Sequence, residues 1–136
     1  MRPLLVDTNA YAAFMRGEPE IVEVLARCDK LLMCSIVLGE LLAGFSTGSR
    51  EAKNRQELHR FLSSPRVSVL PVTADTADYY ALVYAALRRK GRPIPTNDLW
   101  IAACALQHSA GVVSLDAHFA HVDGLKTGRT VADFLP

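Results

Sequence analysis

No apolar run in this 136-residue chain approaches the roughly 18 residues that a membrane-spanning helix needs, because charge or glycine interrupts each one early. With the first apolar stretch starting almost at Met1, the reading is a cytoplasmic protein without a membrane segment. Cysteine is scarce. Cys28, Cys34 and Cys104 are odd in number, lack Cys-x-x-Cys spacing and fall inside apolar patterns, which excludes a disulfide framework and predicts buried reduced thiols. Charge of one sign is lacking too: a formal net charge of +1 gives no whole-molecule attraction to nucleic acid, so any such binding must use local patches. Repeats and low-complexity tracts are absent. What remains is an ordinary chain, half of it apolar, of a size that predicts one domain over residues 1–136.

Within that length strands alternate with helices. Leu4 to Asp7 reads as a short buried strand, with Thr8 capping a helix through Phe14 that stops at Arg16-Gly17. Pro19 suits the first turn of a second helix, in which Ile21, Val24, Leu25 and Cys28 recur at helical spacing, and Leu31 to Cys34 is a continuous apolar strand. Ser35 caps a helix over Ile36 to Phe45; after the breaker Ser46-Thr47-Gly48-Ser49 comes a polar helix, Arg50 to Leu62. Val67 to Val72 is a third strand, and its proline points to a strand end or sheet edge. Thr73 starts a long helix with Ala77, Tyr80, Ala81, Tyr84 and Leu87 on one face and Gly91 as its stop. Asp98 opens an apolar helix to about Gln107, Val112 to Leu115 is a fourth strand, and Thr130 to Phe134 supplies a short fifth. Strands separated by helices of such length pair in parallel, so the expected class is α/β: three layers, with a short central parallel sheet flanked by helices.

Four acidic residues fall where such a sheet puts its chemistry. Asp7 and Asp116 close strands, Asp98 opens a helix, and Glu40 lies within the helix after the second strand. Singly, Asp7, Asp98 and Asp116 read equally as helix caps. Glu40 does not, because its neighbours at helical spacing are Ile36, Val37, Ala43 and Gly44, none of which pairs with its charge. A metal, or a Lys or Arg from elsewhere, must compensate it. Together the four favour a hard cation, Mg2+ or Mn2+, which prefers carboxylate oxygen and water. Such clusters serve phosphoryl chemistry, in which one or two ions activate a water and stabilise the leaving oxygen; a phosphodiester is the implied substrate.

The order Val6-Asp7-Thr8-Asn9, then Ser35 with Glu40-Leu41, then Thr96-Asn97-Asp98, then Ser114-Leu115-Asp116-Ala117-His118-Phe119 resembles the PIN-domain ribonucleases, and among them the VapC-type toxins of toxin–antitoxin pairs. The resemblance spans nearly the whole chain. It implies a metal-dependent endoribonuclease that cuts single-stranded or looped RNA, leaving a 3′-hydroxyl and a 5′-phosphate. By the family's pattern Asp7, Glu40, Asp98 and Asp116 are the acidic quartet, and Thr8, Asn97 and Ser114 are its polar supports. Ser114 stands where relatives often carry Thr. Asp7 and Asp98 are then the direct ligands, Glu40 orients the attacking water or joins a second ion, and Asp116 completes the shell. The partners implied are a VapB-like antitoxin, whose tail occupies the acidic groove and often offers it an Arg, and a second copy of the chain, for which the helix with Tyr79, Tyr80 and Tyr84 is a candidate face.

Other residues carry weaker signals. Arg88, Arg89, Lys90 and Arg92 form a basic cluster for RNA contact, though cations at a helix C-terminus are favoured by the dipole anyway. Arg50, Lys53, Arg55 and Arg60 read as a solvated face, and Trp100 as core packing rather than a base-stacking platform. His118 and His121 have ligand-like spacing, yet no further Cys or His completes a zinc set. Two rival classes stand beside the nuclease. A magnesium phosphohydrolase of small esters is disfavoured because Asp7-Thr8-Asn9 lacks a second Asp two residues after the first, and a non-catalytic RNA- or partner-binding module is disfavoured by the intact quartet.

Overall fold

A computed structural model describes residues 1–136. Its centre is a sheet of five parallel strands in the order β3-β2-β1-β4-β5: β1 (Leu4–Val6), β2 (Leu31–Cys34), β3 (Val67–Leu70), β4 (Gly111–Val113) and β5 (Thr127–Gly128). Seven α-helices flank it: α1 (Thr8–Met15), α2 (Pro19–Arg27), α3 (Ser35–Ser46), α4 (Glu51–Leu62), α5 (Ala74–Lys90), α6 (Thr96–Gln107) and α7 (Val131–Phe134). The first two strands and β4 are buried on both faces, which is why they read as unbroken apolar runs rather than alternating ones. A single core of 30 buried residues runs through sheet and helices, from Leu4 to Phe134. No helix is long and apolar enough to cross a membrane. All three cysteines are free and buried, as composition predicts.

Topology places the chemistry. The chain runs outward from β1 through β2 to β3, then returns to the other side of β1 as β4, so the order reverses between β1 and β4. Crevices at the carboxyl ends of strands that flank such a reversal are where open α/β sheets bind ligands. In register, Val6 pairs with Val113 and the Asp7 amide donates to the Val113 carbonyl at 3.0 Å. Asp7 and Ser114 therefore leave adjacent strands side by side.

Several local expectations need correction. Asp7, not Thr8, caps α1: its Oδ1 accepts the Thr8 amide at 2.8 Å. Ser35 is already helical, and its hydroxyl donates to the Leu70 carbonyl at 3.3 Å. The third strand does lie at an edge and ends at Leu70, before Pro71. Residues 131–134 are helical, because Thr130 and Asp133 form a reciprocal capping box, and the fifth strand is the two-residue Thr127–Gly128. The buried positions of α5 are Thr76, Val83 and Leu87, whereas Ala77, Ala81 and Tyr84 are exposed. Thr76 goes inward because its hydroxyl finds the Gln107 side chain on α6 at 2.5 Å. Tyr80 is half-buried and packs on Trp100 with ring centroids 4.2 Å apart, so Trp100 ties α6 to α5 as the core reading requires.

Candidate active site at the β1–β4 strand ends

The four acidic residues arrive on four segments and are joined by short polar bridges. Asp7 is buried at 3 % exposure, with Oδ1 on the Thr8 amide and Oδ2 accepting the Ser114 hydroxyl at 2.7 Å. That serine also accepts the Asp116 amide at 3.0 Å, so one hydroxyl fixes both the end of β1 and the turn after β4. Glu40, half-buried on α3, has both oxygens oriented: Thr8 Oγ1 donates to Oε1 at 2.6 Å and Asn97 Nδ2 to Oε2 at 3.2 Å. Asp98, in the first turn of α6 and nearly buried, faces His118, whose Nδ1 lies 3.1 Å from Oδ2. All three polar supports expected from the sequence thus touch a carboxylate. Thr8 and Asn97 bracket Glu40; Ser114 holds Asp7.

Two contributors have no role legible in the sequence. Asn9 accepts the Leu115 amide at 2.9 Å through Oδ1 and donates from Nδ2 to Asp116 Oδ2 at 3.3 Å, which stitches α1 to the loop carrying the fourth acid. Its place directly after Asp7-Thr8 was the available signal. His118 reads in the sequence only as half of a zinc pair with His121. Instead it groups with Asp98 and Asp116, their potential ligand atoms lying within 4.8 Å of one another, and His121 is not part of that group.

Electrostatics favour a cation here. Burial pushes the Asp7 carboxyl up from 3.8 to about 6, against the lowering hydrogen bonds from Ser114 and Thr8, and the charges of Asp98 and Glu40 add to the rise. Asp98 is also raised, first by burial, with Asp116 and Glu40 contributing and His118 opposing. No Lys or Arg pairs with any of the four; the cationic side chains make their ion pairs elsewhere, as Arg16 does with Glu18 and Arg129 with Glu20. Neighbouring carboxylates, partly desolvated and without a Lys or Arg partner, fit a hard divalent ion in donor chemistry and in charge.

The basic residues considered for RNA contact are exposed at the end of α5, but they are not all free. Lys90 pairs with Asp123 and donates to the His121 carbonyl at 2.9 Å, and Arg88 donates to the Tyr84 hydroxyl at 3.2 Å. On α4, Lys53 and Arg55 pair with Glu57 and Glu51 one turn away, as expected of a solvated face. The larger concavities are apolar and lie away from the carboxylates. One of about 400 Å³ is lined by Tyr79, Leu82, Val83, Ala86 and Leu106 among others.

Comparison with known proteins agrees with the fold. The model of the PIN domain family matches residues 4–125. Ribonuclease VapC2 of Rickettsia felis is 32 % identical over 114 residues, 81 % of this chain and 84 % of that protein. Among solved structures, VapBC2 of Rickettsia felis bound to a DNA fragment from its promoter superposes with a TM-score of 0.79 at 29 % identity, covering 92 % of this chain and 96 % of that one. VapBC-5 of Mycobacterium tuberculosis, a member of the VapBC family of toxin–antitoxin systems, gives 0.72 at 26 % identity over 96 % of this chain and all of the other.

Proposed function

This chain belongs to the VapC-type PIN-domain family, and from that premise we propose that it is the toxin of a toxin–antitoxin pair, an endoribonuclease that hydrolyses RNA phosphodiester bonds with a divalent cation, Mg2+ or Mn2+. One observation carries the reading: where the strand order reverses, Asp98 and Asp116 come within 4.8 Å of each other, Asp7 and Glu40 are near enough for their charges to act on one another and on Asp98, and no Lys or Arg pairs with any of the four. When bound, the cation supplies Lewis-acid charge for the phosphodiester and makes water more acidic. The chain's own residues do the rest.

Asp7 and Asp98 offer oxygens to the cation, and Asp116 completes the set. Ser114 and the Thr8 amide hold Asp7 in one rotamer, so its free lone pairs keep one direction. Glu40 is positioned by Thr8 and Asn97 rather than by a Lys or Arg, so its carboxyl group is oriented to direct the attacking water and accept its proton. Attack at phosphorus breaks the bond to the 3′ oxygen and leaves a 3′-hydroxyl and a 5′-phosphate. Arg88, Arg89 and Arg92, close in sequence to Asp98, are proposed to hold the RNA backbone; Lys90, engaged by Asp123, contributes less.

The proposed unit is one PIN domain over residues 1–136, which is supported by Phe134 of α7 lying in the same core as β1 and β4. Its proposed setting is the cytoplasm, consistent with three free thiols. A VapB-like antitoxin is the proposed partner, on the strength of the VapBC complexes that it resembles. The proposed homodimer face is α5, where Leu82 is 67 % and Tyr84 46 % exposed beside the apolar concavity.

The test is incubation of the antitoxin-free protein with a pool of structured RNAs, with and without Mg2+ or Mn2+, beside Asp98→Asn. Discrete cuts that need the ion and vanish in the variant are expected. RNA left whole by the wild type under every ion would refute the nuclease.

A further inference from the structure

We propose that His118 is a nitrogen ligand of the divalent ion and makes the site prefer a transition ion, Mn2+, over Mg2+. The inference rests on the metal site proposed above and adds to it a residue outside the acidic quartet. Phe119, fully buried, anchors the 3₁₀ turn of residues Ala117–His121 in the core, and its neighbour His118 is left outside the core, at the first turn of α6. There Nδ1 lies 3.1 Å from Asp98 Oδ2, and one ligand atom each from Asp98, Asp116 and His118 falls within 4.8 Å of the others.

Two adjacent ligands of an octahedral ion with bonds of about 2.1 Å are separated by about 3 Å. The observed 3.1 Å is therefore already the spacing of an ion's neighbouring donors. In the metal-free protein the same spacing suits a hydrogen bond between the imidazole and Asp98; a bound ion would take Nδ1 of the tautomer that carries its proton on Nε2. His118 is half-exposed and makes no other side-chain hydrogen bond, so little in the structure competes for it. Carboxylate oxygens alone suit Mg2+ and Mn2+ alike, whereas an imidazole nitrogen favours the transition ion.

The experiment is pulsed electron paramagnetic resonance of Mn2+ bound to the purified protein, with Mn2+ and Mg2+ titrations of wild type, His118→Gln and Asp98→Asn. The expected wild-type spectrum carries nitrogen modulation from a bound imidazole. In His118→Gln that modulation disappears and the ratio of Mn2+ to Mg2+ affinity falls about tenfold, Mg2+ affinity changing little. Mn2+ bound by wild type with oxygen and water ligands only, or an unchanged affinity ratio in His118→Gln, overturns the role of His118 and leaves the carboxylate site standing. Failure of wild type to bind either ion, or undiminished binding by Asp98→Asn, overturns the metal site and the histidine's part in it together. The wild-type spectrum decides even if a variant is unstable.

Discussion

Replacing Asp7 by Asn should make the metal-free protein more stable while destroying the site. Asp7 is 3 % exposed, and burial raises its carboxyl from 3.8 to about 6. A carboxyl raised in the folded state binds more protons there than in the unfolded chain. Stability is therefore highest at low pH, falls as pH rises from 3.8 toward 6, and stays reduced above it. At about 1.4 kcal/mol per pH unit, the ionised form costs about 3 kcal/mol at neutral pH. The amide removes that charge. It can still accept the Thr8 amide, while its NH2 donates to a rotated Ser114 hydroxyl, so about 1 kcal/mol is lost to poorer hydrogen bonding. The net gain of about 2 kcal/mol raises Tm by roughly 5 to 8 °C in a domain of this size. Circular-dichroism melts in chelator, near pH 7.5 and near pH 4.5, measure it. The advantage should shrink by about 2 kcal/mol at the lower pH, where folded wild-type Asp7 is already mostly protonated. A variant less stable than wild type near pH 7.5, or an advantage that does not depend on pH, would refute the claim that Asp7 is held as a strained charge.

Ser114→Ala removes the 2.7 Å bond to Asp7 and should cost about 1 to 2 kcal/mol in urea unfolding. In the same variant divalent-ion affinity should fall about tenfold by calorimetry, and unchanged affinity would show that Asp7 needs no such orientation. Gly128→Ala would drive a Cβ into the Asp133 side chain, whose carboxylate is fixed by the Arg129 and Thr130 amides. A loss of about 1 to 3 kcal/mol is expected. Gly39→Ala, in a helix interior with no atom within 4 Å, should instead gain up to about 1 kcal/mol, and equal effects of the two substitutions would contradict the packing. The Tyr11 hydroxyl is buried without a partner, while its ring meets Phe61 edge-on at 5.3 Å. Tyr11→Phe should therefore be neutral or stabilising by up to about 1 kcal/mol, and a clear loss on thermal unfolding would reveal a bond to that hydroxyl.

Much of this protein is legible in its sequence because its elements are strongly punctuated. The runs Leu4–Val6, Leu31–Cys34 and Gly111–Val113 are apolar on both faces, which only a parallel sheet covered by helices accommodates. Glu40 is legible for a different reason: no neighbour on its own helix can pair with it, and in the fold its partners are Thr8 and Asn97 from other segments. The fifth strand is not legible. Thr127–Gly128 is two residues held by pairing with β4, without an apolar pattern of its own, and the apolar stretch after it turns helical under the Thr130–Asp133 box. The buried face of α5 is not legible because Thr76, a polar residue, is buried through its bond to Gln107, whereas apolar Leu82 stays exposed. Asn9 reaches Asp116 across 107 residues of sequence and His118 reaches Asp98 across 20, contacts that only the sheet order brings about.

The most direct measurement of the central claim is RNA cleavage in water enriched in oxygen-18, followed by mass spectrometry of the fragment ends. Water activated at the carboxylate site predicts one solvent oxygen in each new 5′-phosphate, an unlabelled 3′-hydroxyl on the other fragment, and no product in chelator or with Asp98→Asn. Fragments ending in a 2′,3′-cyclic phosphate, formed without metal and equally by Asp98→Asn, would mean that the RNA's own 2′-hydroxyl is the nucleophile and that the four carboxylates do not perform the reaction.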